Sequence, residues 1–331
     1  MSSDEIKVFP EAFTKPPVQP LVKKPGQLTT DQLNHFFTEG FVILEDFLDI
    51  NLLNEVKSDL ESQVDQLAQK LYNAGKVKNL YKDKDFFTRT ICLNNEFPGV
   101  SVIHHKNDNL APSIKKLWSN EKLLDAVEQI VGPSIAANPV WNLRIKLPRN
   151  APEEVPWHQD NGYFEPDACE TMMCTAWIPL LDTSKTNGGL GMIRKTHQKG
   201  MLGNHYCCTN GLWYIEMDEE YIEKTFDCKL SQDEIECKVP YGGLVLFNNS
   251  IVHCSYTNLS EKIRWSLDLR WQDPAKPNGR PEGNECMPLF RKDGQQIQNI
   301  DWSVMIDRHK VSTLKKTKKM FIKVLLPFRM I

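Results

Sequence analysis

No stretch of this sequence approaches the roughly 18 uninterrupted apolar residues that mark a membrane-spanning helix, so no span is expected. The opening residues, MSSDEIKVFPEAF, lack a basic region followed by an apolar run, and no secretory leader is expected either. The closing PFRMI matches no peroxisomal or ER-retention address. Nine cysteines are present but none forms a C-x-x-C pair; Cys207 and Cys208 are adjacent and the rest fall at irregular spacings. That pattern fits reduced cysteines in a cytoplasmic protein better than a disulfide framework. Internal repeats and low-complexity blocks are absent as well, which excludes a solenoid.

What is present is an ordinary globular composition: 331 residues, 40% hydrophobic and 25% charged, enough for one large domain or two small ones with an ample core. The net charge of −3 is unevenly spread. Residues 308–331 carry eight Lys/Arg and no Asp or Glu, a basic tail best read as solvated, so no nucleic-acid partner is expected. Residues 1–27 hold five prolines and no regular apolar spacing, and read as an arm or linker. The domain proper is expected over 28–305, with the tail at 306–331.

Within it, TTDQLNHFFTEG predicts a short helix, with Thr29 and Gln32 as a capping box and Gly40 as its end. FVIL (41–44) predicts a strand. Leu52, Leu53, Val56, Leu60, Val64, Leu67 and Leu71 recur at helical spacing up to Gly75, and a third helix is expected over 112–131, stopped by Gly132-Pro133. Beyond 133 the pattern changes to short β-rich runs divided by Gly, Pro, Asn and Asp. Helices first and strands after predict a mainly β core with flanking α-helices.

The stretch PWHQDNGYF (156–164) sets His158 and Asp160 two residues apart. On an extended strand such a pair shares a face and could aim at one point. His253 follows the strand-like YGGLVLFNNSIV, where the next turn is expected to begin, with enough chain between to return beside His158. Two histidines and one carboxylate form the facial set of non-haem Fe(II) oxygenases, which leaves positions open for a cosubstrate and O2; a closed four-ligand zinc site would not. Eleven residues on, Arg264 and Ser266 share a strand face in IRWSLDLRW, a suitable clamp for the distal carboxylate of 2-oxoglutarate.

Three blocks, VPWHQDNGYF, TAWIPLLDTSKTNGG and GGLVLFNNSIVHCSYTNLSEKIRWSLDLRWQ, resemble the signatures of the phytanoyl-CoA dioxygenase family, in order between about residues 28 and 305. The resemblance implies a double-stranded β-helix (jelly roll, cupin-like) and Fe(II)- and 2-oxoglutarate-dependent dioxygenase chemistry. It makes His158, Asp160 and His253 the iron ligands, and Arg264, with Ser266 assisting, the cosubstrate anchor. It places Trp177 beside the cosubstrate and, more loosely, Lys106 as a cosubstrate-contacting lysine. Halogenating relatives replace the motif's aspartate with a small residue; Asp160 is present, so oxygen insertion is expected, with release of succinate and CO2.

The substrate is expected to be a small organic molecule. Asn161, Tyr163, Trp141, Asn142 and Trp271 are candidate pocket residues by position, although packing explains each of them as well. No basic cluster outside the tail suggests a coenzyme A site. The same triad could serve desaturation or ring closure, a non-catalytic metal-binding jelly-roll sensor would need no turnover, and a zinc hydrolase would need neither O2 nor Arg264. Oligomeric state is not legible.

Overall fold

RWSLDLRWQ alternates polar and apolar residues without a break, the pattern of a strand whose two faces meet different surroundings. In the computed structural model, which describes residues 8–105, 110–150, 154–200, 202–207 and 214–305, these nine residues are a strand buried along its whole length. Trp265, Leu267, Leu269 and Trp271 face an outer layer of helices. Arg264, Ser266, Asp268, Arg270 and Gln272 face inward.

In chain order the strands are β1 (Phe41–Leu44), β2 (Ile135–Ala137), β3 (Asn142–Lys146), β4 (Val155–His158), β5 (Met173–Pro179), β6 (Leu190–Ile193) and β7 (Tyr206–Cys207). Then come β8 (Ile215–Glu216), β9 (Glu234–Cys237), β10 (Leu244–Asn248), β11 (Val252–Ser255), β12 (Arg264–Gln272), β13 (Leu289–Lys292) and β14 (Gln295–Gln296). A large antiparallel sheet runs β1-β10-β5-β12-β2-β13-β14, with β3 also paired to β12. A smaller sheet, β4-β11-β6-β9, packs across from it, and β7 and β8 form a separate ribbon. Two facing antiparallel sheets with helices on one outer face make the expected jelly roll.

The helices are α1 (Pro10–Thr14), α2 (Thr30–Glu39), α3 (Ile50–Asn73), α4 (Arg89–Glu96), α5 (Val100–His105), α6 (Pro112–Trp118), α7 (Glu121–Val131), α8 (Glu219–Phe226) and α9 (Leu230–Asp233). Both arms of the capping box at Thr29 and Gln32 form, and Gly40 closes α2 at φ 96°. The single helix expected over 112–131 is two: Ser119 and Asn120 interrupt it, and the Asn120 side chain caps α7 by accepting from Leu123 N. A local cap thus outweighs the helical periodicity that runs through it.

From residue 8 the proline-rich arm lies against the domain. Phe13 is fully buried. Lys24 Nζ and Arg291 Nη1 both reach Glu128 Oε2 at 2.5 Å, and Arg291 Nη2 reaches Asp125 Oδ1 at 2.5 Å. Gly26 N donates to Asp125 Oδ2 (3.1 Å), and a Cβ on Gly26 would stand 1.9 Å from the Lys122 carbonyl oxygen, so only glycine fits there. The arm, α7 and β13 are therefore joined by one buried ionic network.

Among the described residues seven cysteines are free, as expected, but Cys207 is in a disulfide whose partner lies outside them, which corrects the all-reduced reading. Lys106 and the basic tail also lie outside them. Among the described residues no helix is long and apolar enough to cross a membrane.

Candidate active site

His158 is the last residue of β4, but Asp160 is not on the strand: it opens a 3-10 turn, Asp160–Tyr163. The two converge because Gln159 between them is pinned on the other side. Its Nε2 donates to Ser250 O (2.6 Å) and its Oε1 accepts from Gly203 N (2.8 Å). Its backbone N donates to His205 Nε2 (3.0 Å). A buried glutamine with both ends satisfied fixes the backbone where strand becomes turn. His253 sits within β11, not at a turn, directly opposite His158 in the ladder, and the two imidazole centres are 4.2 Å apart.

One ligand atom from each of His158, Asp160 and His253 lies within 4.8 Å of the other two, and all three residues are buried. Each histidine donates Nδ1–H to the carbonyl two residues before it: His158 to Pro156 O (2.8 Å), His253 to Ile251 O (3.1 Å). That fixes the tautomer and turns both Nε2 atoms toward Asp160 Oδ1, at 3.7 and 4.0 Å. The other carboxylate oxygen, Oδ2, accepts from Arg270 Nη2 (2.8 Å) and Nε (3.2 Å), with Thr175 Oγ1 at 3.4 Å. Burial alone would raise the Asp160 carboxyl, but Arg270 and the two histidines outweigh it and hold it well below the usual range. Burial, with His158 alongside, pushes His253 down to about 3. A carboxylate and a neutral imidazole are the forms that bind a metal.

A cavity of about 520 Å3 opens beside the triad. Arg264 lines it; its Nη1 donates to Ser266 Oγ (2.5 Å) and its Nε to Gly188 O (3.1 Å). Gly188 has φ 81°, and a Cβ there would press on Lys146 Cδ at 2.7 Å, so this close approach needs glycine. Trp177 also lines the cavity, its ring centre 5.6 Å from the Arg264 guanidinium carbon. Lys146, opposite Arg264 in the ladder, donates to Ser255 O (2.9 Å), Ser255 Oγ (2.6 Å) and Tyr256 O (2.5 Å), tying the two sheets together at the cavity edge.

Of the pocket candidates, Tyr163 packs beside the triad with its ring 5.6 Å from that of His158, and its hydroxyl accepts from Ile215 N. None of the five candidates is part of the cavity wall. Trp141 and Trp271 belong to the helix-side core, where Trp271 Nε1 donates to Trp118 O. Asn161 is buried against Asn249, which donates to its side chain, and Asn142 is buried on β3. Sequence reasoning missed Arg270, Arg144, Lys146 and His205. The first was legible, since the alternation that pairs Arg264 with Ser266 also puts Arg270 on that face.

A jelly roll with a buried two-histidine, one-carboxylate triad beside a cationic cavity defines the non-haem iron oxygenases as a class. A model of the phytanoyl-CoA dioxygenase (PhyH) family matches residues 36–266. The chain belongs to that family, and it is an Fe(II)- and 2-oxoglutarate-dependent oxygenase. It is 24% identical over 264 residues to the phytanoyl-CoA dioxygenase of Arabidopsis thaliana, spanning 74% of this chain and 88% of that protein. It is 25% identical over 172 residues to the 1-deoxypentalenic acid 11-beta-hydroxylase of Streptomyces arenae, 49% of this chain and 58% of that one. Among solved structures, EctD from S. alaskensis with 2-oxoglutarate and 5-hydroxyectoine superposes with a TM-score of 0.56 at 16% identity, covering 84% and 86% of the two chains. The non-heme monooxygenase ThoJ gives 0.55 at 18%, covering 86% and 95%.

Proposed function

We propose that His158 and His253 hold the iron through Nε2 and Asp160 through Oδ1, and that Arg264 with Ser266 anchors the distal carboxylate of 2-oxoglutarate beside Trp177. The reaction is hydroxylation of a small organic molecule. The observation that carries this reading is the division of labour at the triad. Both Nδ1 atoms and Asp160 Oδ2 are spent on the protein, which leaves three convergent atoms for one metal. That donor set fits a divalent iron ion.

When bound, iron and 2-oxoglutarate supply the oxidising power, with succinate and CO2 as the by-products. The chain's own residues position and shield. Arg270 keeps Asp160 ionised and oriented, Arg264 sets the cosubstrate's direction, and Phe247, 4.8 Å from the His253 ring, walls the metal side against water. The bounds 28–305 for the catalytic domain are part of the same reading.

The test is an anaerobic titration with Fe(II) and then 2-oxoglutarate, followed by visible absorption. A weak charge-transfer band, lost in Asp160→Ala and weakened in Arg264→Ala, is the expected result. Iron binding without any such band would remove the cosubstrate assignment.

A further inference from the structure

Among the described residues the cavity's charged lining is lopsided: Arg144, Lys146, Arg149, Arg264 and Arg270 face two carboxylates, Asp160 and Asp268. Arg270 is committed to Asp160, and Arg264 belongs to the proposed cosubstrate anchor. Iron as a dication and 2-oxoglutarate as a dianion offset each other, so loading the site leaves the excess positive charge in place.

Arg144 is the cation with donors to spare. It lies on β3, two residues from Lys146 and therefore on the same face. Its Nε donates to Asp268 Oδ2 at 2.9 Å, and its guanidinium carbon lies 5.8 Å from the Tyr214 ring centre. Nη1 is buried and has no hydrogen-bond partner. A guanidinium offers its N–H groups as a flat fork that fits an oxyanion two at a time. Asp268 takes the Nε side and leaves Nη1 without an acceptor. Buried donors are rarely left unmet, because the desolvation cost is then not recovered. Arg149 stands farther out: its side chain is 62% exposed and pairs with Glu261, where a cation steers arriving anions without being consumed by them.

We propose that Arg144 is the substrate's anchor and that the substrate is a small organic oxyanion, its charged end on the Arg144 guanidinium and the carbon to be oxidised toward the triad. This rests on the oxygenase reading and narrows it to a substrate class.

The experiment uses the full chain loaded anaerobically with Fe(II) and 2-oxoglutarate. The probes are aliphatic and aryl carboxylic acids, each paired with its methyl ester and its phosphonate analogue. The readouts are displacement of the charge-transfer band and the shift in melting temperature. Acids, phosphonates or both are expected to act where esters do not, and which of the two acts identifies the oxyanion. Arg144→Gln is expected to raise the half-saturating probe concentration by about tenfold or more, as for loss of a charge-assisted hydrogen bond. Half-saturation by 2-oxoglutarate should stay within about twofold, and Arg144→Lys should restore part of the loss. Esters acting as well as acids, no charged probe acting, or an equal loss of 2-oxoglutarate affinity in Arg144→Gln would each overturn the assignment. Failure of the oxygenase reading would appear separately, as no band with 2-oxoglutarate before any probe is added.

Discussion

The two faces of β12 are equally buried and do opposite work. Trp265, Leu267, Leu269 and Trp271 are each fully buried against the helices; burying a leucine side chain alone contributes roughly 1.5–3 kcal/mol. Arg264, Ser266, Asp268 and Arg270 are buried on the other side of the same backbone. Ion pairs there roughly break even against the loss of solvation. One face therefore supplies stability and the other consumes part of it to hold charges in position. Burial alone says little about what a position is for; what it is buried against decides.

Arg270→Leu has the largest expected effect. Asp160 would lose its partner, and removing one member of a buried pair costs about 3–5 kcal/mol. Fe(II) affinity should fall about 10–100-fold, as for loss of a group that orients a metal ligand. Calorimetric unfolding with and without Fe(II) checks this, and added metal should recover part of the lost stability.

Trp265→Ala should cost a comparable ~3–5 kcal/mol through the cavity it leaves. Here the metal should recover nothing, because no ligand is touched. If both variants respond alike to Fe(II), the two faces are not independent.

Arg264→Gln comes next. It should weaken 2-oxoglutarate by roughly 10–100-fold, the worth of a charged hydrogen bond of about 1.5–3 kcal/mol, with Fe(II) affinity unchanged by equilibrium titration.

The smallest effect, nil at neutral pH, concerns His104, which packs on Trp265 with ring centres 5.9 Å apart. Burial pushes its imidazole from 6.5 down to about 4. The unfolded chain binds this proton near pH 6.5, and the folded chain resists it until about pH 4. The contribution is therefore complete above pH 6.5 and is lost as pH falls through that window. At 1.36 kcal/mol per pKa unit the loss reaches up to about 3 kcal/mol by pH 4. Urea unfolding of His104→Phe should show a shallower acid limb than the parent, by that difference.

Most of this contrast can be read from the chain. RWSLDLRWQ declares both faces of β12, and H-x-D followed by a distant histidine declares the triad. Local patterns failed where tertiary contacts set the backbone. Asp160 looks like a strand residue until Gln159 is seen gripping Ser250 and Gly203, each distant in sequence. Residues 119–120 look helical until Asn120 is seen capping. The register that sets His253 beside His158 is a pairing between strands, and no local window contains it. Arg144 and Lys146 alternate in NLRIKLP as plainly as Arg264 and Ser266 do, yet only the β3–β12 ladder shows that both pairs face one cavity.

The network that joins Lys24, Asp125, Glu128 and Arg291 sets an order in time. A chain leaving the ribosome presents Lys24 and α7 before Arg291, which must emerge before the last charge finds its partner. Until then Asp125 and Glu128 of α7 lack the cation that bridges them, although Lys24 and Gly26 of the arm can already meet them. One arginine near the end of the domain thus fastens two acids of α7 that the arm also grips, so a cut between them would leave the pieces held by charge.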